Sequence, residues 1–391
     1  MPLRAHLRLI RGLGPWADDA RAPAAVSRRS VIVGPRAEDG QPFDALVYTP
    51  TDRAPIGSYL IAHGFNVRGP DDPRCDRFAR VLSHAGFVVM CPRLHAFTRL
   101  RVHASAAADL SRALAALLTL DEHPRDRRPG IFSISFGSFA ALLAAASPEA
   151  RHLVGGLVVF GGYADFAATC RFMLGVAGPT TAGLPAPDPT CLVGMAINSA
   201  DVLFPPEERV ALTDAWRTFV TRVWGDPALK APARFADVAR ELASTLPRAM
   251  AAPFLQGCGV TPGFAALAEA ALARVDTAAM DPRRHLPDIR CPVHLFHGRR
   301  DDVIPYTQMT ALATGLTGTR ARTYLTGLYD HSRGESGARG GVARLPALLK
   351  EMTTMAGMVH AIVTAARAPR EEAGVALPVT PRHARSSGGS L

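Results

Sequence analysis

The chain has 391 residues, of which 48% are hydrophobic and 20% are charged. This composition is sufficient for a buried core and excludes a mostly disordered protein. The net charge of +10 would suit a nucleic-acid or anionic-membrane partner. However, the basic residues are scattered and few aromatic residues lie among them to stack on bases. The sequence therefore predicts no nucleic-acid partner.

Cysteine spacing and hydropathy exclude several other classes. None of the six cysteines belongs to a C-x-x-C pair, which excludes zinc-knuckle and thioredoxin-like sites and predicts a reduced, cytoplasmic chain. The N-terminal residues lack the uninterrupted apolar region of a secretory signal. No stretch is apolar for about 18 residues, so no transmembrane segment is expected. No H-E-x-x-H or similar motif occurs, and we expect neither a metal nor a cofactor.

The predicted elements begin with a basic N-terminal arm over residues 1–28. After it, strand-like and helix-like runs alternate, which predicts a mostly parallel eight-stranded sheet flanked by helices. The predicted strands are Ser30–Val33, Phe43–Tyr48, Ser58–Ala62, Phe87–Cys91, Ile131–Ser135, Leu153–Phe160, Pro292–Phe296 and Ala321–Leu325. The predicted helices are Asp76–Ala85, Val102–Leu120, Phe139–Ala146, Tyr306–Thr314 and Val342–Ala366.

One long segment interrupts this alternation. Residues 161–287 contain no strong strand, and their helical stretches are Tyr163–Leu174, Glu207–Val223, Ala233–Leu246 and Gly263–Val275. We interpret the segment as a helical cap inserted after the sixth strand, because long insertions of this kind often cover a ligand crevice. The core then consists of residues 29–160 and 288–367. The tail, residues 368–391, is rich in Pro, Gly, Ser and Arg and is predicted to be disordered.

A candidate nucleophile follows the fifth predicted strand. The strand runs into Ser135, and a helix of small residues begins directly after it. A sharp strand-to-helix turn presents its apex side chain above the sheet, at the positive end of the helix. The motif G-x-S-x-G reads S-x-S-x-G here, since Ser133 replaces the first glycine, and serine is small enough to keep the turn feasible.

A second motif, His63-Gly64-Phe65, follows the strand Ser58–Ala62. With the serine turn, it resembles the oxyanion loop of the α/β-hydrolase fold. The resemblance implies that the backbone N–H groups of Phe65 and Phe136 bind the oxyanion. We expect His63 to brace the loop.

The third motif resembles the acid-bearing loop of the same fold. It begins at His297-Gly298, and the family's spacing implies Asp301 as the acid. Asp302 is the alternate, and Asp165, just after the preceding strand, is a weaker one.

The base is predicted from the fold's order of serine, acid and histidine. His331 lies in the loop after the strand Ala321–Leu325, where the family places its base. His360 falls inside an apolar helix and is expected to be packed in the core, and His383 lies in the tail.

Together these motifs imply a serine hydrolase that cleaves a carboxylic ester through an acyl-serine intermediate. A hydrophobic acyl or aromatic ester is favoured because the cap carries Phe166, Phe172, Met173, Trp216, Phe219, Trp224 and Phe254. An acyltransferase or thioesterase with the same triad is the alternative, and a non-catalytic hydrolase-like binding protein is the alternative of another class. The expected partner is a small-molecule ester or thioester, and the sequence leaves a homodimer open.

Overall fold

A single eight-stranded sheet organises the part of the chain that the computed structural model describes, residues 2–13, 22–176, 183–224, 226–327 and 345–370. The strands are β1 (Val26–Pro35), β2 (Pro42–Pro50), β3 (Gly57–Ala62), β4 (Phe87–Pro92), β5 (Gly130–Ile134), β6 (Gly156–Phe160), β7 (Val293–Gly298) and β8 (Ala321–Thr326). Their spatial order is β1-β2-β4-β3-β5-β6-β7-β8. β2 pairs antiparallel with β1 and β4, and the remaining pairs are parallel. All eight predicted strands and the predicted fold class are confirmed.

The helices flank this sheet. They are α1 (Pro2–Leu13), α2 (Pro73–Ala85), α3 (His95–Thr98), α4 (Ser105–Thr119), α5 (Gly137–Ala146), α6 (Phe166–Met173), α7 (Leu192–Leu203), α8 (Pro206–Val223), α9 (Pro232–Ala243), α10 (Arg248–Gly257), α11 (Phe264–Leu272), α12 (Thr307–Gly315) and α13 (Leu345–Ala365). The sequence did not predict α3, α7 or α10. α3 is a single turn, α7 is buried on most sides and lacks a polar face, and α10 contains Pro253.

Apolar layers cover both faces of the sheet. Along β3 every residue is buried, and successive side chains enter opposite layers. Leu60 packs into the layer that includes α4, α5 and α12, whereas Tyr59 packs into the layer of α1, α2 and α13. A central parallel strand must be apolar on both faces, because each face packs against a buried layer. This is why β3 is a continuous apolar run in the sequence.

The described residues between β6 and β7 form helices and short 3-10 turns, with no strand among them. Their apolar side chains pack together around Trp216, whose indole N–H donates to the carbonyl of Phe254 (3.1 Å). The same cluster includes Phe136 and Val303 from the loops above the sheet. The insertion therefore packs onto the carboxyl end of the sheet, although its role as a cap stays a prediction.

Helices α1 and α13, the first and the last that the structure describes, pack together on one face of the sheet. α1 lies within the predicted N-terminal arm and packs against α2 and α13, while β1 begins at Val26, two residues before the predicted end of the arm. The prediction that His360 is a core residue is wrong: His360 is exposed on α13 and its ring stacks on that of His6. Residues 371–391 lie outside the described part. Of the helices described, none is both long enough and apolar enough to cross a bilayer.

One side-chain amide joins the insertion to the core. The loop after α3 reaches a positive φ of 59° at Leu100, which is strained for a branched side chain. Asn198 on α7 donates to the carbonyls of Leu100 (2.7 Å) and Gly194 (2.8 Å). Its Oδ1 accepts from the N–H of Val102 (2.9 Å). The bonds to Leu100 and Val102 fix the strained loop against the insertion, and the bond to Gly194 orients the amide on its own helix.

We expect Asn198→Ala to lower the free energy of unfolding by about 1–3 kcal/mol, because the carbonyl of Leu100 and the N–H of Val102 lose their partner. Urea unfolding followed by circular dichroism measures this loss. The exposed amide of Gln41 provides the control, and Gln41→Ala should change stability by less than about 0.5 kcal/mol. Equal stabilities of the two variants would show that the Asn198 contacts contribute nothing net.

Candidate active site

Ser135 occupies the turn between β5 and α5 with a φ of +53°, in the left-handed region. Its N–H donates to the carbonyl of Phe160 at the end of β6 (2.8 Å), and its carbonyl accepts from the N–H of Ser138 (2.9 Å). Both bonds lie on the backbone, so the strained conformation is held independently of the serine side chain. The geometry is that of the sharp strand-to-helix turn expected from the sequence.

Small residues on either side make this turn possible. A Cβ on Gly137 would lie 2.3 Å from the carbonyl oxygen of Ala62, so α5 can begin here only with glycine. Ser133 stands in place of the motif's first glycine and is fully buried in β5. Its hydroxyl donates to the carbonyl of Val158 (3.3 Å) and is accommodated without a clash. The departure from the usual motif is thereby explained.

The loop after β3 packs directly against the serine. A Cβ on Gly64 would lie 3.0 Å from the Cβ of Ser135. The rings of Phe65 and Phe136, the two residues implied as oxyanion donors, stack with centroids 4.4 Å apart and planes 9° apart. The structure therefore brings Ser135, Phe65 and Phe136 together.

His63 braces this loop with both ring nitrogens. Nδ1 donates to the carbonyl of Gly64 (2.8 Å), and Nε2 accepts from the N–H of Leu94 (3.3 Å). Burial lowers the pKa of His63 to about 4, which keeps the ring neutral at physiological pH. A ring with both nitrogens occupied acts as a brace, as the sequence analysis expected.

A second anchor of the loop escaped the sequence analysis. Asn66 donates to the carboxylate of Asp72 (2.5 Å), and Asp72 caps α2 by accepting from the N–H of Arg74 (3.0 Å). The signal was present, since an aspartate followed by proline is typical of a helix start.

The carboxyl group of Asp301 is buried and accepts hydrogen bonds from its own loop. Oδ1 accepts from the N–H groups of Val303 (3.0 Å) and Ile304 (2.8 Å). Oδ2 lies 3.3 Å from Nε2 of the buried His297, which also donates to the carbonyl of Ile304 (2.8 Å). The loop thereby fixes the orientation of the carboxylate, and His297 has a bracing role that the sequence analysis did not assign.

The two alternate acids have other contacts. Asp165 caps α6 by accepting from the N–H of Ala168 (2.9 Å) and pairs with Arg283 (2.8 Å). The backbone carbonyl of Asp302 accepts from the N–H of Asp188 in the insertion (2.9 Å). The carboxylate of Asp165 is therefore occupied by other partners, whereas this contact of Asp302 involves only its backbone, and the choice of Asp301 as the acid stays a prediction.

The predicted base His331 and the tail residue His383 lie outside the described residues. The described part of the predicted triad consists of Ser135 and Asp301. Because His360 contacts His6 on α1, it has no place in this site.

A cavity of about 290 Å³ lies beside Ser135. The sheet core contributes mostly apolar and aromatic lining residues, namely Phe65, Phe136, Phe160 and Val303, together with Asn66, Asp72 and Arg74. The insertion contributes Met173, Asp188, Thr190, Cys191, Gly194 and Trp224. Among the seven cap residues predicted for a pocket, only Met173 and Trp224 line it. Of the others, Phe166, Trp216, Phe219 and Phe254 belong to the insertion's own core, and Phe172 is buried.

The insertion's wall of this cavity is held by a short hydrogen-bonded chain. The carboxylate of Asp188 accepts from the N–H (2.9 Å) and hydroxyl (2.7 Å) of Thr190, whose carbonyl accepts from the indole of Trp224 (3.4 Å). Since Asp188 also bonds to the loop that carries Asp301, the wall and that loop are coupled. Within the described ranges, no three His, Cys, Asp or Glu side chains form a metal-binding group.

No protein-family model and no curated relative matches this chain. Among solved structures it is similar to an acylaminoacyl peptidase from Pyrococcus horikoshii, at 11% identity and a TM-score of 0.44 over 78% of this chain and 38% of that one. It is similar to a puromycin-hydrolyzing peptidase from Mycobacterium tuberculosis, at 15% identity and a TM-score of 0.45 over 87% and 39% of the two chains. It is also similar to a dienelactone hydrolase from Anabaena variabilis, at 16% identity and a TM-score of 0.42 over 85% and 98%.

The chain spans 38–39% of the length of the two peptidases. Its own sheet order and strained serine turn have the arrangement that the sequence resemblance implied. The chain has the α/β-hydrolase fold.

We expect Gly137→Ala to destabilise the protein by about 1–3 kcal/mol or more, because the added methyl group meets backbone oxygen at 2.3 Å. Gly194→Ala is the matched control, since its Cβ would meet nothing within 4 Å in helix α7. The control should gain about 0.4–1 kcal/mol by reducing the freedom of the unfolded chain. Urea unfolding measures both changes, and a neutral Gly137→Ala would contradict the close approach.

Because the pKa of His63 falls from 6.5 to about 4 on folding, the unfolded state binds one more proton between these pH values. Stability due to His63 is full above pH 6.5 and is lost as the pH falls towards 4. We expect His63→Gln to reduce the slope of unfolding free energy against pH in this window by about 1.4 kcal/mol per pH unit. Gln41→Ala, at an exposed residue that does not titrate, should leave the slope unchanged. An unaltered slope in His63→Gln would mean that His63 is protonated in the fold.

Proposed function

We propose that this protein is a serine hydrolase that cleaves carboxylic esters through an acyl-serine intermediate. The observation that carries the proposal is the positive φ of Ser135 at the strand-to-helix turn, directly against the glycine of the loop after β3. Non-glycine residues adopt this conformation at a cost, and such strain concentrates at functional sites. A serine that needed only to fill space would not require it.

In the proposed mechanism His331 takes the proton from Ser135 as its oxygen attacks the carbonyl carbon of the ester. Asp301 orients the imidazole of His331 and stabilises its positive charge. The backbone N–H groups of Phe65 and Phe136 bind the oxyanion of the tetrahedral intermediate. The alcohol departs with the proton held by His331, and water activated by the same ring then releases the acid.

The lining of the cavity supports a hydrophobic acyl or aromatic group in the substrate. Phe65, Phe136 and Phe160 from the core face Met173 and Trp224 from the insertion. The volume of about 290 Å³ suits a small ligand, since pockets for drug-sized molecules begin at about 300 Å³. Acyl transfer and thioester hydrolysis would use the same groups and differ only in the acceptor or the leaving group.

A fluorophosphonate probe tests the proposal, with the labelled peptide mapped by mass spectrometry. We expect labelling at Ser135 that disappears in Ser135→Ala, because the probe reacts only with an activated serine. Ser133→Ala and Ser138→Ala are matched controls on either side and should keep the label if they fold. With 4-nitrophenyl esters of increasing acyl length, Ser135→Ala should lower kcat by about 10⁴-fold or more.

Each alternative gives a different result in the same assays. Labelling together with turnover of peptide amides would indicate a peptidase. Faster turnover when an alcohol or thiol acceptor is added would indicate an acyltransferase. A folded protein without labelling or turnover would overturn the proposal in favour of a binding protein.

A further inference from the structure

Helix α1 has an outer face that the core leaves uncovered. Ala5 and Leu9 are buried against the core, whereas Leu3 and Leu7 are 70% and 47% exposed. These two leucines are four residues apart and therefore lie together on the outer side of the helix. Large apolar side chains at this exposure are uncommon in the protein, and two of them within two turns form a continuous apolar strip.

A row of arginines runs beside the strip. Arg4, Arg8 and Arg11 recur at helical spacing, and α1 contains no acidic residue. Among the described residues no carboxylate lies within ion-pair distance of these three guanidinium groups. Over residues 1–29 the sequence has six arginines against two aspartates, so the basic balance holds for the whole N-terminal region.

The arginine row continues into an open groove. Arg8 and Arg11 line a cavity of about 540 Å³ together with Arg53, Arg77 and a single aspartate, Asp52. The groove has room for an anionic group, and the apolar strip lies on the same helix.

We propose that the outer face of α1 docks this protein on an anionic lipid bilayer. Leu3 and Leu7 would enter the boundary between headgroups and acyl chains, while Arg4, Arg8 and Arg11 would bind lipid phosphates. A helix with an apolar strip beside a basic strip lies in the plane of the interface in this way. Arginine suits this role because its apolar stem packs on lipid while its head reaches phosphate.

Nucleic acid is the other polyanion that this charge could bind, and the side chains favour lipid over it. The leucines would gain nothing from a phosphate backbone, and α1 carries no aromatic ring for stacking on a base other than His6, which is stacked on His360. Two leucines are a small anchor, so binding will be reversible and will weaken as salt screens the arginines.

Cosedimentation of the full chain with phosphatidylcholine vesicles, with and without phosphatidylglycerol, tests the proposal. We expect binding only to the anionic vesicles, and loss of that binding at high salt. Arg4→Gln/Arg8→Gln/Arg11→Gln should weaken binding by about 100-fold, from roughly 5-fold for each arginine. Leu3→Ser/Leu7→Ser should weaken it by about 10-fold or more at unchanged charge.

Two matched controls separate this face from general charge and apolarity. The first control removes three exposed arginines from the insertion, in the variant Arg240→Gln/Arg248→Gln/Arg274→Gln. It should bind anionic vesicles at least ten times more tightly than the α1 arginine variant. Ile32→Ser removes an exposed apolar side chain from β1 and should bind as the wild type does. Circular dichroism verifies folding, and Leu3→Ser alone, at the most exposed position, replaces the double variant if that variant unfolds.

Equal binding to neutral and anionic vesicles, or equal losses in the α1 and control variants, would overturn the proposal. Binding of homopolymer RNA, measured in parallel, tests the nucleic-acid alternative. If the wild type binds RNA, shows no preference between the two kinds of vesicle, and the α1 arginine variant loses RNA binding, the face is a nucleic-acid site and the proposal is overturned. Ser135→Ala should bind vesicles as the wild type does, so this test is independent of the hydrolase proposal.

Discussion

The close approach of two backbone segments is the constraint on which the candidate site depends. The end of β3 passes so near the start of α5 that a methyl group on Gly137 would meet the carbonyl oxygen of Ala62. The same approach brings Gly64 against the Cβ of Ser135. Oxyanion stabilisation requires donors fixed in advance, because reorganisation during the reaction would cost much of the gain. Main-chain packing would fix the proposed donors in this way, and the rings of Phe65 and Phe136 stack on each other beside the same approach.

Hydrogen bonds from the backbone extend the same rigidity outward. Asp301 is oriented by two N–H groups of its own loop, and the carbonyl of Asp302 in that loop accepts from the insertion through Asp188. Because Asp188 also holds Thr190 in the cavity wall, a movement of the insertion would disturb the wall and the acid-bearing loop together. The shape of the cavity and the position of the carboxylate are thus linked by one short chain of contacts.

Periodicity and motif order in the sequence were sufficient to predict all eight strands and the placement of Ser135. A buried parallel strand must be apolar on both faces, so strands such as β3 are visible as continuous apolar runs. Helix α7 was missed because burial on most sides removes the polar face that marks a surface helix. His360 was predicted to lie in the core because its helix is apolar. An apolar helix can still have an exposed position, and at this one the ring of His360 stacks on His6 of α1.

Contacts made by long-range packing could not be predicted. The pairing of Asn198 with the loop at Leu100 joins residues far apart in sequence, and no local pattern marks either one. Of the seven apolar residues assigned to a pocket, four that do not line the cavity lie in the insertion's own core, because a helical insertion without a sheet must bury a core of its own. Composition alone does not distinguish an apolar residue that lines a pocket from one that is buried in the insertion's core.

Leu100 and Ser135 are the two non-glycine residues with positive φ in the described ranges, and an element outside each turn holds its strain. The carbonyl of Phe160 on β6 accepts from the N–H of Ser135, and Asn198 on the insertion binds the carbonyl of Leu100. A non-glycine residue with positive φ costs about 1–3 kcal/mol and persists only where the surroundings enforce it.

The partner that enforces the conformation differs between the two residues. At Ser135 the enforcing partner belongs to the sheet itself, so the backbone conformation of this serine does not require the insertion. At Leu100 the carbonyl's partner belongs to the insertion, while the N–H donates to the carbonyl of Phe97 in the core. A shift of the insertion would therefore leave the serine turn in place, but it would disturb the loop that carries Asp301, because that loop is bonded to Asp188.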